Sequence, residues 1–129
     1  MTYNDFRQII TQRLVDWSND TGVKIYTDNR KMSDITSPVV KLDIVYGPTR
    51  IQGRNTAPVT SRTGNIALRI FAPKDSGSAA SYEIAEQLQD IFSFVQWDVS
   101  THTYEGQIVP SANSNLYQLN LLIRFRYNP

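Results

Sequence analysis

The sequence predicts an α+β fold: a mixed, mostly antiparallel sheet with a long hairpin, flanked by two main helices at about 4–18 and 78–95. Three stretches carry that expectation. In residues 65–72, Ile66, Leu68 and Ile70 alternate with Asn65, Ala67 and Arg69, the period of two that marks a strand. Beyond Pro73, the turn residues Asp75-Ser76-Gly77-Ser78 lead into Ala80, Ile84, Ala85, Leu88, Ile91, Phe92 and Val95. Those steps of three and four residues form the single apolar stripe of an amphipathic helix, with Glu83, Glu86, Gln87 and Asp90 opposite it. Residues 116–127 alternate most strongly, with Leu119, Leu121, Ile123, Phe125 and Tyr127 facing one way. Gln118, Asn120, Leu122, Arg124 and Arg126 face the other, as in a long antiparallel strand with one polar face.

The remaining elements follow in chain order. Phe6, Ile9, Ile10, Leu14 and Trp17 trace a helical face, capped at its start by Thr2 or Asn4 and ended at Gly22, which suits the left-handed position after a helix. Residues 23–26 read as a short strand, followed by a polar stretch to Ser37. Residues 39–47 alternate, with Val40, Leu42, Ile44 and Tyr46 on one face, and Gly47-Pro48 is expected to break that strand. The stretch 47–64 holds Arg50, Arg54 and Arg62 and no acid. It reads either as a solvated hairpin turn or as a basic finger that meets an acidic partner surface or a phosphate backbone, since loops longer than about 12 residues are commonly functional or disordered. Residues 97–104 alternate as a strand, Glu105-Gly106 reads as a turn, and 107–109 returns briefly to strand. One domain spanning residues 1–129 accounts for this length.

Composition narrows the function classes. Thirteen basic and twelve acidic residues give a net charge of +1, so no global field draws the protein to nucleic acid or membrane. The absence of cysteine excludes a disulfide framework and thiolate metal sites. No apolar run approaches the ~18 residues of a membrane span. The polar start MTYNDFRQII lacks a signal-peptide layout, so synthesis in the cytoplasm is expected.

Chemistry-bearing patterns are sparse. His102 sits in a polar alternation without a serine and acid to place beside it, and reads as an exposed strand residue. The glycines look like turn residues and form no phosphate loop. Asp28-Asn29 is ordinary turn chemistry, although a metal-dependent hydrolase built on Asp28 and Asp43 is a formal alternative. No cofactor, metal or catalytic residue is expected, and no enzyme.

The succession Ile25-Tyr26-Thr27-Asp28-Asn29, then 40–47, then Arg62-Thr63-Gly64 leading into 66–73, then Gly77 before the helix at 80–92, resembles the tail-terminator (tail-completion) proteins of long-tailed phages and prophages. It is also similar to a related group of small phage-associated domains. The resemblance covers most of residues 1–127. It implies an α+β subunit that forms a homo-hexameric ring on the head-proximal end of the tail tube, stops tube polymerisation and joins the tail to the head connector. The implied partners are further copies of the chain, the tail-tube protein and the head–tail connector protein, with no membrane and no sequence-specific nucleic acid. The implied location is the virion tail, reached from the host cytoplasm during assembly. On this resemblance Arg50, Arg54 and Arg62 are candidate lumen or tube contacts. Arg124 and Arg126 mark a candidate subunit-interface strand, whose sheet edge a neighbouring subunit covers. The alternatives are another neck or minor tail component of similar fold, and a small nucleic-acid-binding domain using Arg50, Arg54, Arg62, Arg124 and Arg126.

Overall fold

The computed structural model describes residues 3–27, 37–51, 60–74, 78–98, 101–111 and 116–127. Its elements are α1 (Tyr3–Thr21), β1 (Lys24–Tyr26), β2 (Val39–Ile51), β3 (Thr60–Pro73), α2 (Ala79–Phe92), β4 (Gln96–Asp98), β5 (Thr101–Ser111) and β6 (Leu116–Tyr127). The six strands form one sheet in the order β1-β2-β3-β6-β5-β4. Only the β1–β2 pairing is parallel; the other four are antiparallel. The fold is therefore α+β, with a mixed, mostly antiparallel sheet, the long β2–β3 hairpin and two main helices.

Both helices cover the same face. Phe6, Ile10, Leu14 and Trp17 of α1 and Ile84, Ala85, Leu88 and Phe92 of α2 share one core with Val40, Leu42, Ile66, Leu68, Ile70, Leu119, Leu121, Ile123 and Phe125 of the sheet. Each of those larger side chains contributes roughly 1.5–3 kcal/mol by leaving water. Trp17 Nε1 donates to Gln87 Oε1 over 3.1 Å and ties the two helices together. At the end of α1, Gly22 takes φ 77° and its N–H donates to the Ser18 carbonyl over 2.8 Å. This is the glycine stop expected from the sequence, although α1 runs to Thr21 rather than 18.

Helix α2 spans 79–92, not 78–95, because the chain reverses sharply at Ser93-Phe94, where Phe94 adopts φ 54°. The stretch read as one strand at 97–104 is two strands. Asp98 pairs with Thr101, so β4 folds back on β5, and Glu105-Gly106 is not a turn: β5 runs through it, with a bulge between Thr103 and Gly106. Gly47-Pro48 also fails to end its strand. The β2–β3 ladder shifts register between Tyr46 and Thr49 and resumes to Ile51. Proline has no N–H for the ladder, and a bulge absorbs that loss without ending the strand.

The largest correction concerns β6. It pairs with β3 along its whole length and with β5 on its other side, so it lies inside the sheet and is not an edge. Its outer neighbours were hidden from the sequence because strand order is set by contacts far apart in the chain.

Candidate functional site

Among the described residues both helices lie on one face of the sheet, and the other face carries no helix. The pairing register places Lys24, Lys41, Asp43, Val45, Asn65, Arg69, Asn120, Leu122, Arg124 and Arg126 on the uncovered face, out of phase with the core residues. At one corner Tyr26, Val39, Phe71 and Leu116 form a small apolar cluster of their own. The rest of the face is mostly polar, with Val45 and Leu122 exposed on it, and carries five cations, Lys24, Lys41, Arg69, Arg124 and Arg126, with Asp43 as its one acid among the residues whose side chains are described. Arg69 Nη1 lies 3.3 Å from Asp43 Oδ2, an ion pair by distance but without hydrogen-bond alignment. Arg124 sits 5.8 Å from the centre of the Tyr104 ring, and Lys24 5.2 Å from that of Tyr26, so two cations rest on aromatic faces.

The sequence-predicted residues separate into two groups. Arg124 and Arg126 stand on the open face, where they are presented as side chains and not through a strand edge. Arg50 and Arg62 belong to the outer arms of the β2–β3 hairpin, Arg50 paired with Ser61, and Arg62 with Thr49 and with Tyr127 of β6. Arg54 lies outside the described residues. The structure thus assigns Arg50 and Arg62 register positions at the outer end of the hairpin. Lys24, Lys41 and Arg69 were not singled out from the sequence. The signal for them existed, since each falls out of phase with the apolar residues of its strand.

His102 is half-buried on the same face, its Nε2 3.2 Å from the Tyr104 hydroxyl. Asp43 is engaged with Arg69, and Asp28 lies outside the described residues. Among the described residues no group of three or more His, Asp or Glu side chains is placed to hold a metal ion.

The sheet's β5 side is closed by hydrogen bonds. Gly106 N–H donates to Ser93 Oγ over 2.8 Å and its carbonyl accepts from Gln89 Nε2 over 2.6 Å. The Phe94 N–H donates to the Tyr104 carbonyl over 3.3 Å, and Thr103 Oγ1 donates to the Phe92 carbonyl over 2.5 Å. The positive φ of Phe94 belongs to this closure, which turns the end of α2 onto the bulge of β5. Phe94 is left 73% exposed.

A solved structure shares this fold. It aligns over 98% of this chain and 96% of its own, with a TM-score of 0.74 and 13% sequence identity, and it is one of eight solved chains that match. At that identity the likeness shows the fold alone. No protein-family model matches the chain, and no curated protein matches it. The six-stranded, one-sided architecture is therefore a shared one, while the distribution of charge over it is read from this chain's own residues.

Proposed function

We propose that this chain is a structural virion protein of a long-tailed phage or prophage, a tail terminator whose ring caps the head-proximal end of the tail tube. Such a protein acts through surfaces: it stops tube growth by occupying the last tube ring and offers the head connector a new one. The observation that supports the reading is the placement of its sequence pattern on the fold. The Tyr26 strand, the Arg62-Thr63-Gly64 crossing and the helix after Pro73 fall respectively on a sheet edge, in the long hairpin and in the helical cover. The β2–β3 ladder continues past the bulge at 46–49 to the Ile51–Thr60 pair, so Arg50 and Arg62 lie on paired strands at the outer end of the hairpin, where the reading puts a tube or lumen contact.

The test is a capping assay with a purified tail-tube protein of a long-tailed phage, taken from the source genome of this chain where one is encoded there. Tubes polymerised with the chain present should be shorter and carry extra density at one end, and the complex should contain about 88 kDa of it, six times 14.7 kDa. Replacing Arg50 and Arg54 with alanine should weaken capping while the far-UV spectrum stays unchanged. Tubes of unaltered length with the wild-type chain would remove the reading. The neighbouring proposal, another neck or minor tail component, differs only in partner and would show itself as binding to a connector without capping.

A further inference from the structure

We infer that copies of this chain dock front to back, with the acidic outer surface of the helix layer in one copy against the basic open sheet face of the next. The inference rests on the ring reading in that it assigns the contact by which the ring would close. Its ground is the sorting of charge. The chain as a whole is nearly neutral, at +1. Yet α2 carries Glu83, Glu86 and Asp90, all exposed, and no basic residue at all, while Asp16 and Asp20 are exposed at the C-terminal half of α1. The one base in that half of α1, Arg13, lies over the Trp97 ring at 4.6 Å. On the opposite side of the sheet stand Lys24, Lys41, Arg69, Arg124 and Arg126, and among the residues whose side chains are described that face holds one acid, Asp43, which lies beside Arg69.

Two complementary surfaces on opposite sides of one subunit make a heterologous contact. Repeated, such a contact closes a ring if its rotation allows and otherwise extends a filament. The occupant that matches the basic face in charge is present in every solution of this protein: the helix layer of another copy. Apolar points for close packing exist within the face, where Val45, Leu122 and Tyr104 are exposed among the cations, and in the helix layer, where Tyr82 and Ile9 are. Strand addition at residues 104–106 of β5 is obstructed. The groups of Tyr104 and Gly106 that would receive a new strand are already bonded to Phe94, Ser93 and Gln89, and Pro110 has no N–H to offer.

Sedimentation of the full chain at low and raised ionic strength tests this, because contacts between exposed charges weaken with salt. The wild type should associate at low salt and lose association as salt rises. The triple variant Glu83→Lys, Glu86→Lys, Asp90→Lys and the double variant Lys41→Glu, Arg124→Glu should each associate at least about tenfold more weakly by losing like-for-unlike pairing. Mixed in equal amounts the two variants should associate again, since each then supplies the face the other lacks. Folding of each is checked by its far-UV spectrum and unfolding midpoint. A wild type that stays monomeric at low salt at every concentration overturns the inference, as does binding of duplex DNA to the face in place of self-association. Variants that cap tubes as well as the wild type overturn it too, and leave the ring reading standing. A wild type that fails to cap removes the ring reading itself.

Discussion

Gly64→Ala is expected to be among the most damaging small substitutions in the chain. Gly64 lies in β3 between Tyr46 of β2 and Phe125 of β6. A Cβ built there comes 2.6 and 2.8 Å from two atoms of the Phe125 ring and collides with the Val45 carbonyl oxygen. The ring has little room to yield. Phe125 is fully buried and packs against Phe6 at 4.7 Å and Tyr46 at 5.7 Å between centroids. The carbonyl is backbone, so no rotamer change relieves that contact and β2 must move away from β3. Overpacking of a core costs about 1–3 kcal/mol when side chains can adjust; with a backbone collision added, about 3 kcal/mol is expected. For a chain of this size that corresponds to roughly 10 °C in melting temperature. In urea, with a slope of about 1.5 kcal/mol/M, it corresponds to a midpoint lowered by about 2 M at unchanged slope. Gly22→Ala is the control, because Gly22 has φ 77° and open space around its Cβ, so only the backbone cost of about 1 kcal/mol applies. A loss below about 1 kcal/mol at Gly64, or a loss equal to that at Gly22, would refute the steric argument.

Two further outcomes follow from the same structure. Phe94→Gly should leave stability unchanged or raise it by about 0.5 kcal/mol, since release of the left-handed strain of about 1 kcal/mol is partly offset by the freer unfolded chain; thermal unfolding that instead shows a loss above about 1 kcal/mol would mean the exposed ring is packed in the folded chain. Burial pushes the Tyr46 phenol above its ordinary value, helped by the nearby Tyr3 and opposed by Arg7. A raised folded pKa gives stability that is complete below the unfolded value of about 10 and is lost as pH rises through the folded one, so Tyr46→Phe should lose less stability than the wild type in urea titrations between about pH 9 and pH 11.

The helices and the longest strands were legible because their signal is local. The stripe from Phe6 to Trp17 and the alternation from Ile66 to Ile70 and from Leu119 to Phe125 report burial within one element, and those residues form the core. Pairing was not legible. Residues 97–104 read as one strand because a reversal between Asp98 and Thr101 preserves the parity of the alternation, leaving Trp97, Thr101 and Thr103 in phase although they lie on two strands. Pro48 and Gly106 read as interruptions because a bulge and a break have the same local composition. Arg124 and Arg126 were placed correctly on a polar face but assigned to an edge, since nothing within β6 records that β3 and β5 lie on either side of it. The open cationic face was legible only strand by strand. Its assembly from Lys24, Lys41, Arg69, Arg124 and Arg126 required the strand order.

That order also bears on how a protein of this kind can assemble without aggregating. The terminal strands β1 and β4 are each three residues long, and β5 extends well past β4. An exposed edge of that length is a template for uncontrolled pairing unless it is blocked. Here the block is built from the end of α2: Gln89, Ser93 and Phe94 bond the bulge, and Thr103 holds the Phe92 carbonyl so that the helix cannot drift from it. The backbone strain at Phe94 then has a physical cause, because only a sharp reversal brings those groups onto β5. With that stretch of β5 occupied by the end of α2, the sheet face and the helix layer are the broad surfaces left for association, and charged faces associate reversibly and with a salt-dependent rate. On the proposed reading this separates two events that an assembling ring has to keep apart. Folding closes the sheet within each copy, and the later meeting of copies is left to side chains that pair only when an acidic and a basic surface face each other.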